Sequence, residues 1–175
     1  RCFPKDVKAL IKTASEHNCD VSIVKAANEV NKNQRKLFLN KIISKLGESL
    51  SGKTIAVWVL IFKPKTNDMR EAPSITIIND LLKRGAKVKA YDPKAVESAK
   101  FYFKDKVEYA ENAYDILKNA DALLLITEWS EFRRPDFDRI KTMMKTPLIF
   151  DGRNQYNVER LAEKGFTCVQ IGRGK

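Results

Sequence analysis

The sequence predicts an α/β fold in which a parallel sheet has helices on both faces and a long helix precedes it. After Lys53, short apolar runs alternate with single amphipathic segments. Such alternation requires crossover connections, and therefore parallel strands. The run 54–61 is almost continuously apolar, as in a strand buried on both faces. Before residue 50 the spacing is only helical, so we divide the chain into residues 1–50 and residues 51–175.

Each element is predicted from the spacing of its apolar residues. Helical spacing covers 6–18 and 21–46, and Gly47 is the expected stop of the second helix. The second part predicts, in order, a strand 54–61, a helix 74–84, strands 87–91 and 107–109, a helix 113–118, a strand 122–126, a helix 139–144, and strands 148–150 and 167–171. At about 1.5 Å per residue, the helix 21–46 is roughly 37 Å long. The other residues of the first 50 are too few to cover this helix. It must therefore pack on sequence outside this chain or on a second copy of the chain.

The composition is that of an ordinary globular protein, with 43% hydrophobic and 31% charged residues. No apolar run approaches the ~20 residues that cross a membrane, and Lys5, Asp6 and Lys8 interrupt any signal-peptide pattern. The three cysteines form neither a disulfide framework nor a close metal-type cluster. We therefore expect a protein of the reducing cytoplasm, with no membrane segment and no metal site.

The formal net charge of +11 raises the possibility of nucleic-acid binding. The 33 Lys and Arg residues are, however, scattered along the chain, without a dense basic tract or a recognisable nucleic-acid module. A solvated basic surface is the favoured interpretation, and a nucleic-acid-binding protein is a weaker alternative. A positive field would also favour binding of a di-anionic nucleotide sugar.

Candidate ligand-binding residues follow the predicted strands, because open parallel sheets bind ligands beyond the carboxyl ends of their strands. Polar clusters stand there at 62–71, 92–94, 127–129 and 151–154. Two of these clusters contain Lys or Arg directly at the strand end, which suits phosphate and carboxylate groups. No G-x-G-x-x-G follows any strand, so an NAD pyrophosphate site of the usual kind is not expected here. The pattern indicates a sister domain that binds a different nucleotide.

At these positions the chain resembles a known family. The matching motifs, in order, are residues 2–6 (CFPKD), 62–73 (FKPKTNDMREAP), 91–93 (YDP), 127–129 (TEW) with Phe132, and 151–154 (DGRN). They resemble the C-terminal half of UDP-glucose 6-dehydrogenases, in the UDP-glucose/GDP-mannose dehydrogenase family, over the whole chain. UDP-N-acetylmannosamine and GDP-mannose dehydrogenases share the first two motifs, whereas residues 127–129 (TEW) and 151–154 (DGRN) favour the glucose enzyme. Departures are Arg1 where the family has Ser, and Val59 and Ile61 where it usually has Gly and a small residue.

The resemblance implies a Rossmann-like fold, a homodimer built on the long central helix, and NAD-dependent oxidation of UDP-glucose to UDP-glucuronate for polysaccharide biosynthesis. It implies that Cys2 is the nucleophile, forming first a thiohemiacetal and then a thioester that water hydrolyses, and that Asp6 positions that water. It further implies NAD contacts from Lys5 and Arg70, and substrate contacts from Phe62, Lys63 and Arg153. The NAD-binding domain of the family does not match any part of this chain, so we expect the chain alone to be inactive.

Plainer interpretations remain open for each of these residues. Asp6 can be a helix cap, and Lys5 and Lys63 can be solvated lysines. Arg70 can form an ion pair with Asp68 or Glu71, and Arg153 can be a turn arginine. Trp58 and Trp129 are expected to serve packing, and His17 is expected on the surface. The chain as a whole can also be a module that binds a UDP-sugar, or only dimerises, without chemistry.

Overall fold

The computed structural model describes residues 2–63 and 67–173, with side chains from residue 5 onward. The chain forms two compact units, Arg1–Asn40 and Lys41–Lys175. The first unit contains helix α1 (Cys2–Glu16) and most of helix α2 (Ser22–Leu46), which runs on into the second unit. Because α1 begins at Cys2, Asp6 lies inside the helix, and its interpretation as a cap is wrong. The predicted long helix is confirmed to within one residue at its start.

The described part of the second unit holds a parallel sheet of six strands. They are β1 (Thr54–Trp58), β2 (Lys87–Tyr91), β3 (Val107–Tyr109), β4 (Ala122–Leu125), β5 (Leu148–Asp151) and β6 (Thr167–Gln170). Their order in the sheet is β3-β2-β1-β4-β5-β6, and every neighbouring pair is parallel. The predicted parallel α/β fold is confirmed. The order reverses between β1 and β4, which makes their carboxyl ends the expected place for a ligand.

Four helices connect these strands, namely α3 (Pro73–Lys83), α4 (Val96–Phe103), α5 (Phe137–Met143) and α6 (Val158–Glu163). Right-handed crossovers place α3 and α4 on one face of the sheet and α5 and α6 on the other. Neither α4 nor α6 is predicted by the sequence pattern. The helix predicted over 113–118 is instead a single 3-10 turn at Asp115–Leu117. This turn begins where the Asn112 side chain accepts the Tyr114 N–H (2.8 Å) and ends at Asn119, whose φ is 59°.

The core of the second unit lies on the two faces of the sheet, and every residue of β4 and β5 is buried. Trp58 belongs to this core. Its indole N–H donates to the Ala113 carbonyl at 2.8 Å, and its ring stacks on Phe132 with the centroids 4.4 Å apart. The predicted packing role of Trp58 is therefore confirmed. His17 is exposed, as predicted.

Strand β1 ends at Trp58, three residues before the predicted end at Ile61, because Val59 turns into the left-handed region with φ 63°. A β-branched residue rarely adopts this conformation, since its side chain crowds the backbone. Val59 is nevertheless fully buried, and its N–H still donates to the Tyr91 carbonyl at 3.0 Å. The sequence shows an uninterrupted apolar run here and gives no sign of the turn.

Three buried polar side chains hold residues 59–61 in place of a regular strand ladder. One carboxylate oxygen of Asp92 accepts the N–H groups of Leu60 (2.7 Å) and Ile61 (3.3 Å). Its other oxygen accepts two N–H groups of the turn that follows it, those of residues 94 and 95, each at 2.8 Å. Ser74 Oγ donates to the Leu60 carbonyl, and Thr127 Oγ1 donates to the Ile61 carbonyl at 2.6 Å. The chain beyond β1 is thereby fixed up to Phe62.

We predict that Asp92→Asn lowers the free energy of unfolding by about 2 to 4 kcal/mol. An amide NH2 cannot accept the N–H groups that one carboxylate oxygen now accepts, and buried donors without a partner are costly. Urea denaturation followed by circular dichroism measures the change. Asp105→Asn is the control, because Asp105 is exposed in the 3-10 turn Lys104–Lys106 and should change stability by less than about 0.5 kcal/mol. Equal stability of the two variants would contradict the role given to Asp92.

We also predict that Cys168, on β6, resists alkylation. Burial raises the pKa of its thiol to about 12, and the nearby Asp151 carboxylate adds to the rise. Because the thiolate is the reactive form, iodoacetamide at about pH 8 should modify the exposed Cys19 and spare Cys168. Peptide mass mapping checks this, and modification of both thiols at equal rates would refute it.

The same thiol makes the free energy of unfolding depend on pH. An unfolded thiol ionises near 9.0, whereas the folded one ionises near 12, so the free energy of unfolding decreases progressively between about pH 9 and pH 12.

Candidate ligand-binding site

Phe62 and Lys63 lie directly after residues 59–61, at the carboxyl edge of the sheet beside the switch between β1 and β4. Phe62 is half-buried and Lys63 is exposed. The Phe62 N–H donates to the Asp68 carbonyl at 3.3 Å, which closes a loop whose residues 64–66 lie outside the described part of the chain. An exposed lysine beside a half-buried aromatic ring at this edge can bind an anionic ligand.

Arg70 forms the ion pair that the sequence left as its alternative interpretation. Its Nε donates to Asp68 Oδ1 at 3.0 Å, and Asp68 also accepts the Arg70 backbone N–H at 3.1 Å. The Arg70 side chain is 65% exposed, whereas that of Asp68 is only 10% exposed. The pair therefore orients Arg70 and still leaves much of its guanidinium accessible.

The buried carboxylate of Asp151 organises the loop after β5. Its Oδ1 accepts the Arg153 N–H at 3.0 Å, and its Oδ2 accepts the Tyr156 N–H and the Gln170 side-chain amide, both at 2.9 Å. Burial, reinforced by Asp151, raises the pKa of the Tyr156 phenol, which stays protonated. That phenol donates to the Phe132 carbonyl at 2.8 Å. One carboxylate thus fixes the backbone at residue 153 and, through Tyr156, at residue 132.

Arg153 is more than a turn arginine. Its Nε lies 2.8 Å from Glu128 Oε2, and both side chains are about two-thirds buried, with 37% and 38% of their surface exposed. The pair borders an open groove of about 530 Å³ at the carboxyl edge of β4 and β5. We call it the arginine groove, and its lining residues are Glu128, Arg133, Arg134, Arg153 and Gln155. Its volume lies within the range of small-molecule sites, which is about 300 to 1,000 Å³.

Sequence reasoning did not single out Arg133, Arg134 or Gln155. The two arginines follow the 3-10 turn Ser130–Phe132, in the loop between β4 and α5. Two consecutive positive charges in a loop after a strand could have indicated an anion-binding position. Gln155 had no such signal, because only the folded structure reveals its burial. Lys63 and Arg153 follow strands that are two places apart in the sheet, a separation of roughly 10 Å between strand axes.

The remaining candidates lie on α1, in the first unit. The side chain of Cys2 is outside the described side chains, and Lys5 and Asp6 are exposed. Their catalytic and cofactor roles stay predictions. Among the described residues, no group of three or more His, Cys, Asp and Glu could hold a metal ion. No helix in the described ranges is both long and apolar enough to cross a membrane.

The end of β1 does not fit the pyrophosphate of a dinucleotide. Such a site needs free backbone N–H groups and closely approaching glycines at the turn after the first strand. Here the N–H groups of Leu60 and Ile61 are bound to Asp92, and Val59 stands buried where a glycine would allow approach. The described residues after β1 therefore do not form an NAD pyrophosphate site of the usual kind.

Comparisons with known proteins agree with this arrangement. The model of the UDP-glucose/GDP-mannose dehydrogenase family, UDP binding domain, matches residues 56–158. A UDP-glucose 6-dehydrogenase of Rhizobium meliloti is 44% identical over 172 residues, which are 98% of this chain and 39% of that protein. A UDP-glucose dehydrogenase structure from Pyrobaculum islandicum aligns with a TM-score of 0.80 at 29% identity, over 98% of this chain and 36% of that one. A UDP-D-ManNAc dehydrogenase structure from Pyrococcus horikoshii aligns with a TM-score of 0.77 at 26% identity, over 99% and 38%.

The chain spans well under half the length of these relatives and matches the C-terminal part of the curated ones. The matched segment contains the last three residues of β1, all of β2 to β5, and the loops that carry Lys63 and Arg153. The chain therefore belongs to the UDP-glucose/GDP-mannose dehydrogenase family and contains that family's UDP-binding domain.

Proposed function

We propose that this chain is the UDP-sugar-binding part of an NAD-dependent UDP-glucose 6-dehydrogenase. The observation that carries the proposal is the position of Lys63 and Arg153, which follow strands on either side of β4 at the carboxyl edge of a domain of the UDP-binding type. The relatives named UDP-glucose 6-dehydrogenase, which cover 98% of this chain, support glucose as the sugar. The intact protein then oxidises UDP-glucose to UDP-glucuronate.

Each strand-end residue has a distinct role in this proposal. Lys63 is exposed and brings a mobile positive charge to the phosphates. Phe62, which is half-buried, offers an apolar surface for the nucleoside. Arg153 is held by Glu128 through Nε, so its terminal N–H groups can donate to a sugar or phosphate oxygen. The pre-formed pair keeps the arginine oriented before the ligand arrives.

The chemical roles rest on the helix α1. Cys2 is the proposed nucleophile toward the substrate carbon that is oxidised, and Asp6 positions the hydrolytic water. Lys5 and Arg70 are each proposed to contact NAD, which accepts hydride when bound. Because the described residues after β1 do not fit the NAD pyrophosphate, that group must be held elsewhere in the intact protein. We place the protein in the cytoplasm, where thiols such as Cys19 stay reduced.

Assembly as a homodimer through α2 is part of the proposal. Ile23, Val30 and Leu37 recur every seven residues along α2 and are 86%, 58% and 52% exposed. Seven residues are almost two helical turns, so the three side chains form one apolar stripe. Covering a large apolar side chain contributes roughly 1.5 to 3 kcal/mol, which favours a second copy at this stripe. Phe38 and Ile42, also on α2, are already buried in the single chain, so they are not available to contact a second copy.

The substrate site is tested by titration calorimetry with UDP-glucose. We expect the purified chain to bind it weakly, and Lys63→Ala to weaken binding by about 1 to 3 kcal/mol, the contribution of a charge-assisted hydrogen bond. Lys87→Ala is the matched control, because Lys87 is an exposed lysine at the start of β2, on the opposite edge of the sheet. Equal affinity of the parent and Lys63→Ala removes Lys63 from the site.

The same preparation distinguishes an enzyme fragment from a complete enzyme. With UDP-glucose and NAD, the chain should form no NADH, since its described residues lack the pyrophosphate site. NADH formation by the purified chain would refute this. Tight UDP-glucose binding without any turnover, even after the N-terminal part of a relative is supplied, would favour a binding module.

The dimer is tested by sedimentation equilibrium. We expect a mass near twice the 20.0 kDa of one chain, and Val30→Asp should shift the population to monomer because it places a charge in the apolar stripe. Asn31→Asp is the control, since it adds the same charge about 100° around the helix. A single-chain mass at all micromolar concentrations, or equal masses for the two variants, would exclude this interface.

A further inference from the structure

Helix α4 exposes two aromatic side chains in its last turn. Phe101 is 81% exposed and Tyr102 is 36% exposed, and their rings meet edge to face with the centroids 5.4 Å apart. At about 100° per residue, Phe101 lies about 160° around the helix from both Ala99 and Phe103, which are buried. Phe101 therefore occupies the most outward position of α4, where packing of the helix on the sheet cannot cover it. A single exposed Phe is common in proteins, so the surroundings of the pair decide its meaning.

The aromatic pair lies toward the amino edge of the sheet. Because α4 connects the carboxyl end of β2 to the amino end of β3, it runs from the ligand-binding edge to the opposite edge. The pair is in the second half of the helix, and the 3-10 turn Lys104–Lys106 follows it directly before β3. The arginine groove borders the carboxyl edge, so the pair is not part of that site.

Four exposed lysines lie at this same amino edge. Lys104 and Lys106 belong to the turn after α4, and Lys87 begins β2. Residues 87 and 106 directly precede a register pair of β2 and β3, so their backbones are about 5 Å apart. Lys83 is the last residue of α3, four positions before Lys87. Within the described ranges, none of the four side chains forms an ion pair or a hydrogen bond.

Most acidic side chains of this region already have a basic partner. The pairs are Glu97 with Lys100, Glu108 with Lys89, Asp121 with Lys145, and both Asp80 and Glu48 with Arg84. Asp105, exposed in the turn after α4, offsets one of the four lysine charges. The amino edge therefore combines an outward aromatic pair with a surplus of positive charge.

We propose that this surface binds the anionic phospholipid headgroups of a membrane. We call it the lysine surface, and its residues are Lys83, Lys87, Phe101, Tyr102, Lys104 and Lys106. Aromatic rings enter the boundary between headgroups and acyl chains, and lysines are attracted to the lipid phosphates around them. The charge of the lysine surface thus complements that of an anionic bilayer. Binding of this kind takes place at the membrane surface and involves no spanning helix.

The shape of the lysine surface favours a bilayer over other anionic partners. Phe101 protrudes from a convex helix, so a folded protein would need a matching pocket, whereas a fluid lipid interface accommodates a protruding ring. A single-stranded nucleic acid needs a groove and aromatic faces on which successive bases stack, but the two rings stand at 87° to each other. A second copy of the chain would bring lysines against lysines, which is unfavourable.

Membrane binding through this surface is compatible with ligand binding at the other edge. Lys63 and Arg153 follow the carboxyl ends of β1 and β5, so they remain in water when the amino edge contacts the lipid. The inference therefore does not rest on the proposed function, and UDP-glucose affinity should be unchanged by substitutions in the lysine surface.

Vesicle flotation of the purified chain tests the lysine surface. The vesicles contain equal parts of phosphatidylglycerol and phosphatidylcholine, and pure phosphatidylcholine vesicles are the neutral comparison. We expect binding to the anionic vesicles at low salt, little binding at high salt, and none to the neutral vesicles. Each lysine near an anionic surface contributes about a fivefold factor, so Lys104→Gln/Lys106→Gln should bind at least about tenfold more weakly. Phe101→Ser/Tyr102→Ser should lose affinity to a similar extent.

The matched control removes two positive charges at the opposite edge of the sheet. Arg133→Gln/Arg134→Gln changes exposed arginines after β4 and should stay within about twofold of the parent in vesicle binding. Thermal unfolding of each variant verifies that it is folded. Equal losses from this control and from Lys104→Gln/Lys106→Gln would reduce the binding to general charge attraction and overturn the proposal.

A fluorescent reporter distinguishes insertion of the ring from adsorption by charge alone. Phe101→Trp places an indole at the outward position of α4, whereas the native Trp58 is buried. Its emission should shift to shorter wavelength when anionic vesicles are added, because the indole leaves water. An unshifted emission at saturating vesicle concentration would overturn the role of Phe101.

Three further outcomes would also overturn the proposal. The first is a parent chain that does not bind anionic vesicles at low salt. The second is equal vesicle binding by the parent and Phe101→Ser/Tyr102→Ser. The third is a parent that ignores the vesicles but binds a single-stranded oligothymidine through the same residues, which would assign the lysine surface to nucleic acid. None of these results bears on the binding of UDP-glucose, so the proposed function is tested separately.

Discussion

The carboxylate of Asp92 is the interaction on which the ligand-binding edge depends. Beyond Trp58 the chain leaves the sheet through the left-handed turn at Val59, and the next two peptide N–H groups are buried without a strand to pair with. Asp92 accepts both of them and at the same time closes its own turn after β2. Each unpaired buried N–H would cost about 1 to 3 kcal/mol, so this one group makes an otherwise unfavourable path of the chain stable. The position of Lys63 follows from it.

Strand-end polar residues in this domain divide into two kinds with opposite roles. Asp92, Thr127 and Asp151 are buried, and most of their hydrogen bonds are to backbone groups of the loops. Lys63 and Arg153, in the same sequence clusters, remain at the surface of those loops. Buried carboxylates therefore set the shape of the edge, and the basic residues beside them set its charge. The sequence of a strand-end cluster alone does not show which of its polar residues are buried and which remain exposed.

Much of the fold follows from the sequence. In a long helix or strand, the regular spacing of the apolar side chains predicts which face is buried, and therefore which element forms. The long helix and all six strands were predicted at nearly their observed positions. The departures have local causes. The helix α6 has only six residues and is begun by the Asn157 side chain, which accepts the Arg160 N–H at 2.7 Å. The end of β1 depends on one dihedral angle that an apolar run does not reveal.

The site was predictable to the extent that it depends on sheet topology alone. Lys63 and Arg153 could be placed at one edge because parallel strands end together. Arg133 and Arg134 could not, since their position depends on Phe132, which is held by Trp58 and by Tyr156 from distant parts of the chain. The position of Gln155 depends in the same way on Asp151, which accepts the N–H groups of Arg153 and Tyr156. Contacts over such sequence distances have no local pattern from which they could be predicted.

The short strand β3 has a consequence for behaviour in the cell. It stands at one edge of the sheet, has only three residues, and its Glu108 lies 3.8 Å from Lys89 of the neighbouring strand. An edge strand recruits foreign strands through a row of free N–H and C=O groups, and a three-residue edge with charged side chains is a poor template. Growth of the sheet by addition of strands is therefore disfavoured at this edge. Fibrous aggregation that begins from β3 is disfavoured for the same reason.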